Sequence, residues 1–187
     1  MAIIEEKTGR PRLYNFHPVA GIENKDVGCC ISILDELLER VVDQIVHLPP
    51  EALDFTPAGT TLSIGRLVVH LAWAEARMMK LASGKGIDGE LERRLASGSL
   101  ETFKKAPESS PDSEHLIALL RRVRREVTIP FATSFQDIEA MVKGAHPLKT
   151  IKAVFMHLFW HWTYHSGHIG LLSLQAGYDY TWTFPKD

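Results

Sequence analysis

The segment between Pro147 and Gly177 constrains the fold more than any other part of the chain. Proline suits the first turn of a helix, and glycine suits the position that follows a helix. Between them, core-type residues such as Ile151, Val154 and Leu158 recur at the three-and-four spacing of a helix. We therefore predict a helix from Pro147 to Gly177, the longest element of the chain.

Three further segments have the same helical spacing of apolar residues. The first runs from Val27 to Leu48 and is stopped by the two prolines that follow it. The second covers residues 64–83. The third begins near Asp112 or Ser113, either of which can cap it, and ends by Pro130, beyond which FQDIEAMV could add a turn or two. No clear strand pattern is found, so the sequence predicts an all-α fold with four main helices.

The links between these helices predict their arrangement. The links between helices one and two and between helices three and four are short, which favours antiparallel pairs. The link between helices two and three is long, with room for one short helix around Leu91 to Ala96. We therefore predict a four-helix bundle with up-down-down-up topology, in which this long link crosses over between helices two and three.

The two ends of the chain differ from its helical centre. Residues 1–25 contain several glycines and prolines without sustained periodicity, which predicts an N-terminal arm on the surface. Residues 26–187 then form a single helical-bundle domain. The tail contains Trp182 and Phe184, apolar side chains beyond those that four helices would bury. We therefore expect them to form a contact between the subunits of a homodimer.

Charge and cysteine content limit the binding partners and the cellular location that we expect for the protein. The formal net charge is −2, which gives no attraction to nucleic acid or to an anionic membrane. Neither a signal peptide nor an uncharged apolar run of about 18 residues is found. Cys29 and Cys30 are neighbours, and this geometry rarely suits a disulfide. We predict a soluble cytoplasmic protein that binds neither nucleic acid nor a membrane.

Four histidines lie on one face of the last predicted helix, at positions 157, 161, 165 and 168. At roughly 100° per residue they fall within an arc of about 80°. The same face includes core-type residues such as Leu158 and Leu172, so the imidazoles are predicted to point inward or toward the mouth of a pocket.

Two histidines four residues apart on a helix can present both imidazoles to one metal ion. The pairs His157/His161 and His161/His165 both have this spacing, and His70 on the second helix could supply a third ligand. A lone buried histidine such as His70 is more often a hydrogen-bonded core residue. Spacing alone therefore leaves metal binding and plain packing nearly even, and it does not choose between His157 and His165.

Two stretches of the sequence resemble motifs of the DinB-like (DinB/YfiT) superfamily of metal-dependent helical-bundle proteins. The first is LPPEALDFTPAGTTLSIGRLVVHLAWAEARM, with a proline-containing turn, a helix start of small residues, and a histidine followed closely by an acid. The second and more specific is HLFWHWTYHSGHIGLLSLQAG, with a histidine pair, a glycine and a leucine run. With the helix order, the resemblance covers roughly residues 27–178.

The resemblance implies a set of metal ligands. The family's helix-two ligand matches His70, and its paired ligands match His161 and His165, because Ser166 and Gly167 continue the motif. His157 and His168 then become neighbours, and His168 stands where the family usually has glutamine. Three imidazoles leave open positions on a divalent transition metal, with zinc or nickel expected and iron, manganese or cobalt able to bind.

The resemblance also implies alternative functions. Some members resemble metal-dependent S-transferases, or related hydrolases and isomerases, that activate a low-molecular-weight thiol to attack a small electrophilic substrate. The alternative is a protein without catalytic activity, either a metal-binding stress-response protein or a structural dimer. The residues do not choose between these functions.

Overall fold

Most of the chain is helical. The computed structural model describes residues 2–12, 14, 16–102, 109–143 and 147–183. Its α-helices are α1 (Lys25–Ile45), α2 (Pro50–Leu53), α3 (Ile64–Ser83), α4 (Gly89–Leu95), α5 (Ser113–Val123), α6 (Ile129–Ala132) and α7 (Ile151–Gln175). A 3₁₀ turn (Ala96–Gly98) follows α4, a π-helical segment (Arg124–Thr128) joins α5 to α6, and two strands, β1 (Glu5–Pro11) and β2 (Tyr178–Thr183), flank the helices.

Side-chain caps fix where the main helices begin. The backbone N–H of Val27 donates to the side chain of Asn24 at the start of α1, and the N–H of Arg66 donates to Ser63 at the start of α3. Asp112 caps α5 in the same way, which confirms the predicted start of that helix. These contacts satisfy N–H groups that have no partner within the helix.

The last helix begins later than predicted. Thr150, and not Pro147, is the residue at its N-terminal boundary, and its hydroxyl accepts the N–H of Ala153. Before it, Met141 pairs with Thr150 in an isolated antiparallel bridge, and the N–H of Val142 donates to the Lys149 carbonyl. This extended pairing keeps the chain out of a helix until Thr150. At the other end, Gly177 follows the helix with φ of 96°, as a C-terminal glycine should.

Two other predicted boundaries are also wrong by a few residues. Helix one ends at Ile45, before the predicted Leu48, and the chain turns there with the N–H of Leu48 donating to the Ile45 carbonyl. Helix three does not stop at Pro130, because the π-helical segment ahead of it lets helical turns continue to Ala132. In that segment the N–H of Ile129 bonds to the Arg124 carbonyl, five residues back.

The apolar core lies between four long helical units. These units are α1, α3, α5 continued by the π-helical segment and α6, and α7. Helix α3 packs against α5 and α7, and α1 packs against α7 and α5. The core residues that recur at helical spacing in the sequence are fully buried, as Ile31, Leu34, Leu67, Leu71 and Leu158 illustrate. Among the helices that the structure describes, none is both long enough and apolar enough to cross a membrane.

One buried ion pair ties three of these helical units together. The Arg124 guanidinium donates to both carboxylate oxygens of Glu75, at 2.9 and 3.0 Å, and it also contacts Asp35 of α1. The Thr128 hydroxyl donates to the same Glu75 carboxylate. Glu75 and Arg124 are almost completely buried, so each charge depends on the other for its stabilisation.

A two-stranded parallel sheet joins the two ends of the described chain, which corrects the expectation of an all-α fold without strands. Glu5 pairs with Tyr178, and Thr8 pairs with Thr181. Arg12, which follows β1 and is 1 % exposed, anchors the sheet to α1 through Glu36 at 2.8 Å and Asp43 at 3.3 Å. Part of the predicted N-terminal arm is therefore a paired strand.

The described part of the C-terminal tail contacts other residues of the same chain. Trp182 lies in β2, is partly buried, and has the Arg40 guanidinium over its ring at 4.7 Å from the centroid. Phe184, the other residue predicted to contact a second subunit, lies outside the described residues. The large exposed apolar side chains are found elsewhere, most of all on α7.

Candidate metal centre

The structure brings His70, His161 and His165 together between α3 and α7. Their ring centroids lie 4.9 Å apart for His70 and His161, 5.0 Å for His70 and His165, and 4.5 Å for His161 and His165. One nitrogen from each ring lies within 4.8 Å of the others. His70 is buried, whereas His161 and His165 are partly exposed, so small molecules can reach the group from one side.

A backbone carbonyl orients His70. Its Nδ1–H donates to the carbonyl of Gly98 at 2.7 Å, which leaves the Nε2 lone pair directed toward His161. Gly98 packs directly on α3, where a Cβ would lie only 2.6 Å from the Val69 carbonyl oxygen and 2.7 Å from Cβ of Trp73. Glycine is therefore required for the 3₁₀ turn to bring this carbonyl close enough to His70.

The geometry of the three imidazoles fits a metal ion. Imidazole nitrogens bound to one zinc ion lie about 2.0–2.1 Å from the metal, and hence about 2.9–3.4 Å from each other. Nε2 of His70 lies 3.0 Å from Nε2 of His161, within that range. The Nδ1 of His161 is buried and has no hydrogen-bond partner among the described residues. Three nitrogen donors without a thiolate suit a divalent transition metal with open coordination positions.

His157 and His168 lie at the edges of this group. The rings of His157 and His161 are 5.7 Å apart, and Nδ1 of His168 lies 3.5 Å from Nδ1 of His165. The ring of Tyr164 contacts His168 at 4.3 Å between centroids. Both histidines are therefore neighbours of the three-histidine group and lie outside it.

Burial lowers the basicity of the three imidazoles. Desolvation, assisted by His165, His70 and His157, lowers the pKa of His161 to about 3. Desolvation also lowers the pKa of His165 to about 4, with smaller contributions from His70 and His168. The same burial lowers the pKa of His70, and the hydrogen bond to the Gly98 carbonyl offsets part of this decrease. At neutral pH the rings are thus neutral, the form in which imidazole binds metals.

These lowered pKa values predict a pH-dependent stability for the metal-free protein. Because the unfolded chain takes up protons on His161 and His165 near pH 6.5 and the folded chain only near pH 3 and 4 respectively, acid favours unfolding. Stability should be fully present above pH 6.5 and should fall as the pH drops from 6.5 toward 3. Urea unfolding of metal-free protein at several pH values, compared with His161→Gln, measures this. Equal pH slopes in the two proteins would contradict the prediction.

Sequence reasoning missed the groups that support the site. Gly98 lies in the long link, where nothing in the sequence distinguishes it from Gly84 or Gly89. Trp73 stacks on His70 with ring centroids 5.6 Å apart, and its position three residues after His70 on the same helix could have indicated this contact. Glu75, the acid that closely follows His70 in the first motif, pairs with Arg124 of the neighbouring helical unit and, among the described residues, forms no hydrogen bond with the three imidazoles.

The fold and the site define a class of protein, a helical protein in which two helices bring three neutral imidazoles together. The chain belongs to the DinB superfamily, whose family profile matches residues 33–169. A crystal structure of a DinB-like protein from Bacillus cereus ATCC 10987 has a similar fold, with a TM-score of 0.58 and 18 % sequence identity. The similarity covers 78 % of this chain and 91 % of that one. No curated protein matches the chain.

Proposed function

We propose that this protein binds one divalent transition metal ion through His70, His161 and His165 and uses it for thiol-dependent chemistry. The observation that carries the proposal is the 3.0 Å separation of the Nε2 atoms of His70 and His161, with a nitrogen of His165 close to both. Zinc or nickel is the expected metal, and iron, manganese or cobalt would fit the same donors. Membership of the DinB superfamily supports the assignment.

The proposed activity is that of a metal-dependent thiol S-transferase or of a related hydrolase or isomerase. A bound divalent ion lowers the pKa of a thiol that coordinates it, which provides a thiolate nucleophile near neutral pH. The chain itself holds three neutral imidazoles in place and leaves one side of the group open, because His161 and His165 are only partly buried. His157 and His168, at the edges of the group, are placed to accept or donate a proton.

A thiol-transfer assay with metal-loaded protein tests this activity. With chlorodinitrobenzene, sulfur forms a bond to the ring carbon while chloride leaves, and the product is followed by absorbance. We expect a rate above the blank with at least one of several low-molecular-weight thiols, and loss of that rate in His70→Ala. If metal raises the melting temperature but no thiol and metal combination gives turnover, the non-catalytic metal-binding alternative replaces the enzyme.

Contacts between the helices support the proposed up-down-down-up topology. Asp35 of α1 contacts Arg124 of the π-helical segment, and Glu39 of α1 contacts Arg121 of α5. The later residue on α1 thus contacts the earlier arginine, so α1 and the unit of α5 and the π-helical segment run in opposite directions. Gln44 near the end of α1 bonds to Ser166 in the second half of α7, as expected of parallel neighbours. The free thiols of Cys29 and Cys30 and the near-zero net charge favour a cytoplasmic protein that binds neither nucleic acid nor membranes.

We also propose that the protein is a homodimer in which α7 contacts α7 of a second copy. Trp160 is 82 % exposed and Tyr164 is 64 % exposed, and Leu171 continues the same side of the helix. Gly167 lies between them, exposed, with open space where a Cβ would stand. A glycine inside a helix costs stability, but it allows a second helix to approach closely. The exposed face carries no charged residue from Ala153 to Gln175, which suits self-association.

Replacing Trp160 by glutamate should convert the dimer to a monomer. A carboxylate in place of the most exposed apolar ring of the proposed contact would be buried against the second copy, so its desolvation opposes association. Light scattering coupled to size exclusion measures the mass. Val46→Glu is the matched control, because Val46 is also exposed but lies at the end of α1. A wild-type protein that is already monomeric at high concentration would overturn the proposal.

A further inference from the structure

A cleft lies beside α3, and none of the three histidines lines it. It has a volume of about 580 Å³ between α3 and the segment formed by α4 and the 3₁₀ turn, and we name it the α3–α4 cleft. Its lining includes Trp73, Arg77, Lys80, Glu92, Leu95 and Glu101. This volume is typical of sites for small organic ligands.

The floor of the α3–α4 cleft is apolar. Leu95 is almost completely buried, and Ala76 and Ile87 lie beside it. Trp73 contributes its ring, which stacks on His70 and also carries the guanidinium of Arg77 at 5.4 Å from the ring centroid. The cleft can therefore accommodate an apolar group of aromatic or branched aliphatic size.

The rim of the cleft carries two charges that are not neutralised. Lys80 and Glu92 form an ion pair of 2.5 Å and cancel each other. Arg77 and Glu101 are both exposed, and neither forms an ion pair or a side-chain hydrogen bond with any residue in the described part of the chain. One unpaired cation and one unpaired anion thus face the same cavity over an apolar floor.

We propose that the α3–α4 cleft binds the zwitterion of an α-amino acid with an apolar side chain. The Arg77 guanidinium would receive the carboxylate, for which its fork of N–H donors is suited, and Glu101 would receive the ammonium group. The side chain of the ligand would lie on Leu95, Ile87 and Trp73. This inference does not depend on the proposed metal site, because none of the three histidines lines the cleft.

Three related compounds test the charge pattern. L-Phenylalanine carries both charges, N-acetylphenylalanine lacks the ammonium, and phenylalaninamide lacks the carboxylate. Isothermal titration of the full-length, metal-free protein should give measurable binding of phenylalanine. Each analogue should bind at least about tenfold more weakly, since each loses one charge-assisted contact.

Two variants assign the contacts. Arg77→Gln should remove the preference for phenylalanine over phenylalaninamide, and Glu101→Gln should remove the preference for phenylalanine over N-acetylphenylalanine. Arg93→Gln is the matched control, because Arg93 is an exposed arginine of α4 outside the cleft lining, and it should bind like wild type. Both cleft substitutions lie at exposed positions, so circular dichroism should show an unchanged fold.

Several outcomes would overturn the proposal. Equal affinity for phenylalanine and N-acetylphenylalanine would assign a simple anion site instead. If Arg77→Gln and the wild-type protein bind phenylalanine with equal affinity, the ligand binds elsewhere. If none of the three compounds binds, the proposed site does not exist. A failure of metal binding would leave this result unchanged, so the two proposals fail independently.

Discussion

Alanine at position 161 is expected to lower the affinity of the protein for Zn²⁺ or Ni²⁺ by more than about 100-fold. His161 is the central member of the group, because its Nε2 lies 3.0 Å from that of His70 and its ring is the nearest to His165. Loss of a ligand should exceed the 10–100-fold effect typical of residues that only orient ligands. Competition titration with a chromophoric chelator measures the affinity, and metal analysis of protein purified without a His-tag gives the stoichiometry.

The neighbouring histidines provide matched controls on the same helix. His157→Ala and His168→Ala remove imidazoles from one face of α7 but leave the three-histidine group intact, so metal content should remain near one equivalent. His70→Ala and His165→Ala should behave like His161→Ala. Full metal retention in His165→Ala would overturn the ligand assignment, and loss of metal in His157→Ala would move the site toward the start of α7.

Replacing Arg124 by methionine should destabilise the fold by about 3–5 kcal/mol, the second large effect that we expect. The substitution keeps much of the side-chain volume, but it leaves the Glu75 carboxylate buried without its cation. Urea unfolding followed by circular dichroism gives the free energy. Arg122→Met is the matched control on the same helical unit, since Arg122 pairs with Glu126 at the surface and its removal should change stability little.

A double variant separates the ion pair from simple packing. In Arg124→Met/Glu75→Leu, neither charge remains, so a large part of the lost stability should return. If Arg124→Met alone unfolds with wild-type stability, the buried ion pair is not the connection that the contacts indicate. If the double variant is no more stable than the single one, lost packing and not the unpaired carboxylate is the cause.

The helices could be predicted because their determinants are local. Periodic apolar residues and the caps at Ser63 and Asp112 lie within a few residues of the helices they define. The start of α7 was predicted too early because the deciding contacts, between residues 141–142 and 149–150, join a loop to the helix boundary. Proline at position 147 is typical of a helix start, but the pairing of the loop with residues 149–150 keeps this segment extended.

The strands could not be predicted, because each needs a partner from the other end of the sequence. The side chains of β1 are mostly exposed, so EEKTGRP shows no alternation between apolar and polar residues. Its pairing depends on β2 and on the contacts of Arg12, which joins Tyr180 across 168 residues of sequence. No local pattern records such a contact.

The sequence indicated which histidines are candidates for the site, but it did not predict how they are positioned. The spacing of four residues on α7 left the pairs His157/His161 and His161/His165 equivalent, and only packing against α3 places the second pair beside His70. The contacts that fix His70, the Gly98 carbonyl and the Trp73 ring, depend on the path of the long link. That path is a property of the folded chain, since no local pattern in the link shows which of its backbone carbonyls will face His70.

The parallel pairing of β1 with β2 has a consequence for the order of events during synthesis. A ribosome completes β1 and α1 long before it makes residues 178–183, so β1 must wait without its partner while the helices are added. The partners of Arg12 on α1, Glu36 and Asp43, are made soon after it, whereas its bond to Tyr180 can form only after α7 has been translated. Closure of this sheet is therefore a late step of folding, and a nascent chain stalled before residue 178 should carry a β1 that proteases can cut.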